Sequence, residues 1–245
     1  MRNVAEPGPF QTTALATVLT LRSSAKGAAS RPGQKDVIVS AIELHSYEPR
    51  NGHGLKHDPF NAIIAPRPIG WVSTKGADGR INLAPYSFFN GFNYTPPLIG
   101  FSSMGIKHST RNAQETGEFV WNLATIDLAK QMNATAAHVD ADVNEFEVAG
   151  LTAVPSTLVS VPRVGEARVA FECKVTEIIE LKRADGQSAN AFLTMGEVVA
   201  VHIDKSLIVD GVYRTALASP IVRAGRKGDY FTVKHEDMFE MIRPD

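Results

Sequence analysis

The stretch PRPIGWVSTKGADGRINLAPYSFFNGFNYTPPLIGFSSMGIKHST, residues 66–110, decides the fold of this 245-residue chain. Apolar, aromatic and β-branched residues predict buried strands at residues 69–74 and 98–103. Residues 81–89 predict another strand, which returns from the turn Ala77-Asp78-Gly79, because Asp-Gly supplies the positive φ that a tight hairpin needs. The stretch therefore predicts antiparallel β structure built from local hairpins.

Polar side chains cluster where these predicted strands end, and a lysine follows them. The members are Ser73, Thr74, Asn82, Ser87, Ser102, Ser103, Lys107, Ser109 and Thr110. Hydroxyls and one ammonium can bind phosphate without a glycine-rich loop, and each hydrogen bond to a charged group is worth roughly 1.5–3 kcal/mol. Ser109 is predicted to cap a short helix at residues 110–116, whose N-terminus would favour an anion. The pattern fits a phosphate site, and it fits ordinary strand ends and helix caps equally well.

Composition narrows the functional class. At 44% hydrophobic and 21% charged residues, the chain is ordinary for a soluble globular protein. A formal net charge of -1 provides no global field to recruit nucleic acid or an anionic membrane. No apolar run approaches the ~20 residues of a membrane span. The single cysteine, Cys173, cannot form an intramolecular disulfide, which fits a reducing compartment, and we expect a cytoplasmic protein.

The N-terminal part differs from the rest. Residues 1–35 are rich in Ala, Ser and Thr, with basic residues set against a single acid, Glu6. We expect a flexible extension here, although an organelle-targeting peptide has the same basic character. Residues 36–245 are expected to form one domain, beginning with a strand at 36–44. His53 and His57 lie four apart, but the glycine between them argues against a helix, so we predict no metal site.

The strongest hairpin after the opening stretch spans residues 168–204. Apolar and polar residues alternate over 168–182, which places Cys173 on the apolar face and Glu172 on the polar face. Residues 191–204 are predicted to return from the turn Ala184-Asp185-Gly186. A thiol on the apolar face is predicted to be buried and inert. Helices are predicted at residues 126–138, 142–148 and 235–245.

Several motifs occur in a recognisable order: PRPIGWVST, NLAPYSFF, a strand ending in FSS, KHSTRNA followed by FVWNLA, then TMGEVVAVHID and PIVRAGRKGDY. In this order they resemble the flavin reductase-like family of FMN-binding split β-barrels, in its flavoredoxin-like branch. The resemblance covers residues 55–232. It implies a mainly β Greek-key split barrel with short helices, and a homodimer with FMN at the subunit seam.

The resemblance also implies which residues hold FMN. The phosphate candidates are Ser73, Thr74, Lys107 and Thr110. The candidates for the ring and the ribityl chain are Asn82, Leu83, Ala84, Ser87, Phe101, Ser102 and Ser103, with Trp71 packing beneath the site and Arg223 near the flavin or across the subunit interface. His202 is a candidate contact to the nicotinamide donor. The glycine-aspartate-histidine pattern of NADH-using relatives is absent, and Gly196-Glu197 precede a strand instead.

The function implied by the resemblance is that of an FMN-dependent oxidoreductase. Such an enzyme reduces flavin with NADH or NADPH, or passes electrons through bound FMN, and the flavin itself carries the electron chemistry. One alternative is an FMN-binding electron-carrier module that serves a partner, such as a monooxygenase or another electron acceptor. A second alternative is a pyridoxamine phosphate oxidase-like enzyme, which would need the cluster from Arg223 to Lys227 as a second phosphate site.

Overall fold

The computed structural model describes residues 42–137, 139–140 and 142–244. Every helix and strand named below belongs to the unit Tyr47–Asp245. In the other unit, Met1–Ser46, the described residues 42–46 form no helix or strand. The predicted extension at residues 1–35, and the predicted strand at 36–44 except for its last three residues, lie outside the described residues.

The described residues form a mainly β structure with four short α-helices. The strands are β1 (Gly70–Lys75), β2 (Ile81–Tyr86), β3 (Phe89–Tyr94), β4 (Pro97–Met104), β5 (Glu118–Asn122), β6 (Ala153–Val154), β7 (Arg163–Val164), β8 (Val169–Lys182), β9 (Ser188–Ile203), β10 (Ile208–Val209), β11 (Val212–Tyr213), β12 (Ile221–Arg223) and β13 (Tyr230–Thr232). The helices are α1 (Phe60–Ile63), α2 (His108–Thr116), α3 (Ala129–Ala134) and α4 (Glu145–Val148). Seven strands form one antiparallel sheet in the order β2-β1-β5-β8-β9-β4-β3, and the others pair as the ribbons β6-β7, β10-β11 and β12-β13.

The seven-stranded sheet has to close on itself, because its two edge strands are neighbours in the chain. Only Ser87 and Phe88 join β2 to β3. A flat sheet with strands ~4.8 Å apart would separate those edges by about 29 Å, whereas two linking residues reach about 10 Å. The Ser102 amide of β4 donates to the Phe88 carbonyl over 2.8 Å, and the Tyr86 and Phe101 rings lie 4.7 Å apart. The predicted split barrel is therefore confirmed.

Two apolar clusters lie on opposite sides of β1. Val72 faces the barrel interior, where it packs with Phe101, Phe119 and Cys173. The interior is filled tightly: a Cβ added at Gly196 of β9 would lie 2.4 Å from the ring of Phe119. The predicted burial of Cys173 is confirmed, and burial raises the pKa of its thiol.

The second cluster covers the outer face of β1 and β2. Trp71 points outward and packs with Leu83, Met132 and Phe146, which brings α3 and α4 onto the barrel. The indole Nε1 of Trp71 donates to Thr135 Oγ1 over 3.0 Å. These helices are short, so packing on the barrel rather than intrinsic propensity holds them. Their position forms one side of the site described below.

The predicted hairpins are confirmed and one predicted strand is divided. Gly79 and Gly186 adopt positive φ values of 85° and 81° in the two Asp-Gly turns. The predicted strand at residues 81–89 is wrong as a single element, because β2 ends at Tyr86 and β3 begins at Phe89. The strands β2 and β3 lie at opposite edges of the sheet, where β2 pairs with β1 and β3 pairs with β4. The local hydrophobic pattern does not distinguish one continuous strand from two consecutive strands that pair with different neighbours.

The predicted helices are longer than the observed ones. The helix predicted at 126–138 is observed as Ala129–Ala134, and its last residue, His138, lies outside the described residues. The helix predicted at 142–148 is observed as Glu145–Val148. The C-terminal helix is wrong: a 3-10 turn, His235–Asp237, is followed by irregular chain to Pro244. Met238, Phe239, Met241 and Ile242 are exposed there, so no apolar face is buried to offset the cost of nucleating a helix.

Candidate functional site

A cavity of about 400 Å³ opens beside the barrel between β2, the start of α2 and the chain that follows α3. Asn82, Ala84, Pro85 and Tyr86 of β2 form one wall. The facing wall is formed by Ile106, Lys107, His108, Ser109 and Arg111, and residues 135–137, Val139 and Glu145 complete it. A volume of this size suits a small-molecule ligand.

The start of α2 gives the cavity an electropositive side. Lys107 is the N-cap residue and has no side-chain cap, and the first helical bond runs from the Arg111 amide to the Lys107 carbonyl. The amides before that bond carry the partial positive charge of a helix N-terminus. Lys107 and Arg111 are exposed, and neither has an ion-pair partner among residues 42–137, 139–140 and 142–244. The arrangement is suited to an anion such as a phosphate.

A buried polar network crosses the wall of this cavity. The Asn82 amide lies 2.9 Å from Ser109 Oγ, and with its nitrogen toward Glu145 it donates to Oε1 over 3.1 Å. The Glu145 carboxylate also accepts the Leu83 amide at 3.2 Å, and its residue is only 6% exposed. Burial raises the pKa of Glu145, and the nearby His108 and the backbone donors offset that rise only in part. The network therefore contains a carboxylate that holds its proton more tightly than usual.

The hydroxyl of Tyr86 extends the same network towards the barrel. Ser109 and Ser103 both hydrogen-bond to it, and burial raises the pKa of the phenol. Ser103 Oγ also donates to the Gly105 carbonyl over 3.0 Å. Neutral hydroxyls and an amide thus line the inner end of the cavity, while the cationic side chains lie at its helix end.

Three of the predicted FMN-binding residues line the cavity: Asn82, Ala84 and Lys107. The structure brings them together although they come from β2 and from the residue before α2. Ser87, Ser102 and Ser103 lie close by. Ser87 offers its carbonyl to the Arg67 guanidinium, and Ser102 is partly buried on β4.

Three other phosphate candidates are buried elsewhere. Ser73 is fully buried on β1, and its hydroxyl donates to the Pro162 carbonyl. Thr74 is also fully buried, and its Oγ1 accepts the Asn112 amide nitrogen at 3.1 Å, which ties β1 to α2. The Thr110 hydroxyl is buried in the first turn of α2 with no hydrogen-bond partner among the described residues. None of the three is in the lining of the cavity.

Three apolar candidates belong to the two cores. Phe101 is fully buried in the barrel interior, whereas Trp71 and Leu83 are fully buried in the outer cluster. Leu83 reaches the site only through its backbone amide, which donates to Glu145. Trp71 lies beneath the helices that border the cavity, in agreement with its predicted packing role.

His202 is held by a second buried glutamate. Its Nε2 lies 2.6 Å from Oε1 of Glu172, which is 0% exposed. The Glu172 carboxylate also accepts the amides of Thr157 at 2.7 Å and Leu158 at 2.6 Å, and that of Val159 at 3.2 Å. Burial raises the pKa of Glu172, but these hydrogen bonds and His202 outweigh it and lower the pKa from 4.5 to about 2. This pair anchors the loop that covers the outer face of β8.

The guanidinium of Arg223, the arginine candidate, is hydrogen-bonded within its own loop. The Arg223 guanidinium donates to the carbonyls of Asp229 at 2.7 Å and Lys227 at 2.8 Å, and it lies 4.7 Å from the centre of the Tyr230 ring. Arg67, by contrast, is only 8% exposed and donates to the carbonyls of Asn61, Ser87 and Ala224. It therefore joins α1, the link between β2 and β3, and the loop that follows β12.

Sequence reasoning missed the polar or ionisable cavity residues Tyr86, His108, Arg111 and Glu145, and it placed Ser109 in the polar cluster without assigning it to FMN. A signal existed for Arg111, because it stands four residues after Lys107 and so shares a face of α2 with it. Nothing in the local sequence indicated Glu145, which is 62 residues from its hydrogen-bond partner Leu83. Over the described ranges, no group of three or more His, Cys, Asp or Glu side chains could hold a metal ion. Within those ranges, too, every helix is too short or too polar to cross a membrane.

Comparisons with known proteins place this chain in a family. The model of the flavin reductase-like domain matches residues 64–216. Uncharacterized protein BH2278 of Halalkalibacterium halodurans is 37% identical over 186 residues, which cover 74% of this chain and 87% of that protein. Nitrilotriacetate monooxygenase component B from Bacillus cereus superposes with a TM-score of 0.73 at 32% identity, covering 82% of this chain and all of that one.

Flavoredoxin of Desulfovibrio vulgaris shares the fold, with a TM-score of 0.62 at 24% identity over 73% of this chain and 90% of that one. The family match spans most of the described barrel, from the residues before β1 to those after β11. Two of the motifs that carried the resemblance, NLAPYSFF and KHSTRNA, contain the β2 and α2 residues that line the cavity. The chain therefore belongs to the flavin reductase-like domain family.

Proposed function

We propose that the chain binds FMN in the cavity at the start of α2 and is an FMN-dependent oxidoreductase. In this proposal it reduces flavin with NADH or NADPH, or passes electrons through bound FMN in the manner of a flavoredoxin. The observation that carries the proposal is the electropositive cavity of about 400 Å³ bordered by Lys107 and Arg111. Family membership and the similarity to nitrilotriacetate monooxygenase component B support it.

The donors around the cavity fit a phosphate monoester. Lys107 and Arg111 supply full positive charges, and the first-turn amides of α2 point partial charge the same way. Charge-assisted hydrogen bonds of this kind are about twice as strong as neutral ones. We therefore assign the phosphate to Lys107, Arg111 and the Ser109 hydroxyl. Ser73, Thr74 and Thr110 in this proposal support the site from behind rather than contact the ligand.

The β2 wall fits the rest of the ligand. Ala84 and Pro85 offer an apolar surface to a ring, while Asn82 and Tyr86 offer polar groups to the ribityl chain. A bound flavin would supply the electron chemistry, so these residues need only bind, orient and shield it. His202 is tied to Glu172 and does not line the cavity, so contact with a nicotinamide would require the imidazole to leave that carboxylate.

The proposal includes a homodimer with the cavity near the subunit seam, and an acceptor such as a monooxygenase component. Support comes from exposed aromatic residues on the edge strand β3, where Phe92 is 53% and Tyr94 is 92% exposed. The similarity to a monooxygenase component B supports a protein acceptor. Sedimentation velocity with and without FMN tests the dimer, and a monomer under both conditions would remove it from the proposal.

The central experiment is a flavin titration of purified full-length protein. We expect a yellow complex with FMN, and we expect Lys107→Ala to weaken FMN binding by roughly 10- to 100-fold, because a hydrogen bond to a charged group is worth roughly 1.5–3 kcal/mol. Riboflavin, which lacks the phosphate, should be affected far less. Lys205→Ala, at an exposed lysine remote from the cavity lining, is the matched control. Equal weakening of both ligands would remove Lys107 from the phosphate site.

Oxidation of NADH and NADPH with added FMN then separates an enzyme from a carrier. Turnover with either nicotinamide supports the reductase. Full flavin loading without turnover favours an electron-carrier module that is reduced by a partner protein. We do not extend the proposal to a pyridoxamine phosphate oxidase-like enzyme, because the guanidinium of Arg223 is already bonded to carbonyls of its own loop.

A further inference from the structure

Glu145 is a carboxylate placed in the wall of a cavity that otherwise suits an anion. It is the first residue of α4, and the preceding Asn144 caps that helix by accepting the Phe146 amide. The residue is 6% exposed, yet it belongs to the same cavity lining as Lys107. A negative charge at this position would repel a phosphate, so its presence calls for an explanation.

The carboxylate of Glu145 has few donors to stabilise its charge. It accepts its own backbone amide, the Leu83 amide at 3.2 Å and the Asn82 side-chain amide at 3.1 Å. Burial disfavours the ionised form of a carboxyl and raises its pKa, which is the direction found for Glu145. An anion in the cavity would add a like charge and drive the carboxyl further towards its neutral form.

We propose that Glu145 is a specificity-determining residue of the cavity, which takes up a proton when a phosphate monoester binds. The inference rests on the proposed function and deepens it. The neutral carboxylic acid leaves the positive charge of Lys107 and Arg111 unopposed, whereas the carboxylate cancels part of it. Phosphorylated flavin should therefore bind more weakly as pH rises, and unphosphorylated flavin should be nearly indifferent.

Protonation of Glu145 also changes the hydrogen bond of Ser109, because the Asn82 side-chain amide lies between the two residues. With Glu145 ionised, the Asn82 nitrogen donates to the carboxylate and its oxygen accepts the Ser109 hydroxyl over 2.9 Å. With Glu145 protonated, its O–H can donate to the amide oxygen. The amide then turns over, and its nitrogen donates to Ser109 Oγ across the same 2.9 Å. The Ser109 hydroxyl is then free to donate its hydrogen bond into the cavity. Protonation of Glu145 also removes a negative charge from the cavity wall.

Other ionisable groups face the same region and have to be separated from Glu145. They are Lys107, His108 and Arg111 on α2, Tyr86 on β2, Glu147 on α4 and Asp142 before it. Lysine and arginine stay charged near neutral pH, and burial raises the pKa of Tyr86. His108 is the rival, because an imidazole that loses its charge as pH rises would also weaken anion binding.

The test compares FMN with riboflavin across pH in the full-length protein. For wild type we expect FMN affinity, relative to riboflavin, to fall roughly tenfold as pH rises and Glu145 ionises. Glu145→Gln should abolish that fall and bind FMN more tightly than wild type at the alkaline end. The phosphate of FMN itself titrates near pH ~6, but it does so identically with every variant, so differences between variants cancel it.

Calorimetry measures the proton directly. FMN binding in two buffers of different ionisation enthalpy should show proton uptake by wild type and much less by Glu145→Gln. Glu147→Gln, an exposed glutamate on the same helix, is the matched control and should behave as wild type. At pH ~8, where the phosphate of free FMN is already fully ionised, wild-type binding of FMN without proton uptake would overturn the inference even if the Glu145 variant failed to fold.

The outcomes also separate this inference from the proposed function. FMN binding whose pH dependence survives in Glu145→Gln, or is lost only in His108→Gln, overturns the inference and leaves the proposed function standing. Failure of wild type to bind FMN at any pH overturns both.

Discussion

Glu172 and Glu145 are both buried on the outer side of the same barrel, yet their pKa values are shifted in opposite directions. Glu172 accepts three backbone amides and faces His202, and its pKa falls to about 2. Glu145 accepts the Leu83 amide and the Asn82 side chain, and its pKa rises. The donors of Glu172 outweigh the effect of burial on its pKa, whereas those of Glu145 offset that effect only in part.

The comparison also separates structure from function. The carboxylate of Glu172 holds a loop against β8 and is fully buried. The carboxylate of Glu145 lies where a ligand would meet it. A buried carboxylate with a full set of hydrogen-bond donors is chemically inert. One with an incomplete set changes its protonation state when a charged ligand binds beside it.

The largest expected effect is at Glu172. Glu172→Ala removes the buried acceptor of three backbone amides and of His202, so the free energy of unfolding should fall by about 3–5 kcal/mol. Guanidinium unfolding followed by circular dichroism measures it. Glu177→Ala, at an exposed glutamate on the same strand, should change it by less than about 0.5 kcal/mol. A similar small loss for Glu172→Ala would break the comparison.

Acid should act on the same carboxylate. Because its pKa is lower in the folded protein, Glu172 contributes stability that is complete above its unfolded value of 4.5 and is lost as pH falls towards about 2. That displacement corresponds to roughly 3 kcal/mol. We expect the unfolding free energy of wild type to fall more steeply over this range than that of Glu172→Gln. Parallel curves for the two proteins would contradict the low pKa.

His202 should contribute less than its partner. His202→Gln leaves the three backbone amides on Glu172 in place, so we expect a loss of about 1.5–3 kcal/mol, the worth of one hydrogen bond to a charged group. Denaturant unfolding measures the loss, and nicotinamide oxidation by the same variant separates the two roles of this residue. Lost turnover at full stability would place His202 at the donor site instead.

The smallest effect is expected at Glu145, and with the opposite sign. Since its folded pKa is raised, Glu145 contributes stability that is complete at acidic pH and is lost as pH rises through that pKa. Glu145→Gln should therefore be more stable than wild type at pH ~8, by an amount on the order of 1 kcal/mol, with the difference shrinking at pH ~4. Thermal melting at both values tests it, and a destabilised variant at pH ~8 would show that the carboxylate is well satisfied.

Much of the barrel could be predicted from local pattern. The Asp-Gly turns at Gly79 and Gly186 and the long hairpin of β8 and β9 follow from alternation and turn chemistry, and Cys173 follows from its place in that alternation. The same alternation assigned Glu172 to a polar face. That face is covered by the loop that carries Thr157 and Leu158, and no local sequence pattern predicts that this loop packs there.

The site was only partly predictable for the same reason. Lys107 and Asn82 stood out because they follow or punctuate predicted strands, and both line the cavity. Ser73 and Thr74 stood out equally, but their hydroxyls are bonded to Pro162 and Asn112 inside the protein. A hydroxyl at a strand end has the same sequence signature whether it faces a ligand or a neighbouring loop.

By itself, the sequence determined the hairpins and the apolar stripes, because turn φ values and side-chain alternation act over a few residues. The predicted cap at Ser109, by contrast, was wrong, because the helix begins at His108. Only the tertiary structure decided that β2 and β3 part to opposite edges of the sheet, and that Glu145 meets Asn82 across the wall of a cavity. Those outcomes depend on burial and on hydrogen-bond donors supplied by distant segments, which exist only once the sheet has closed.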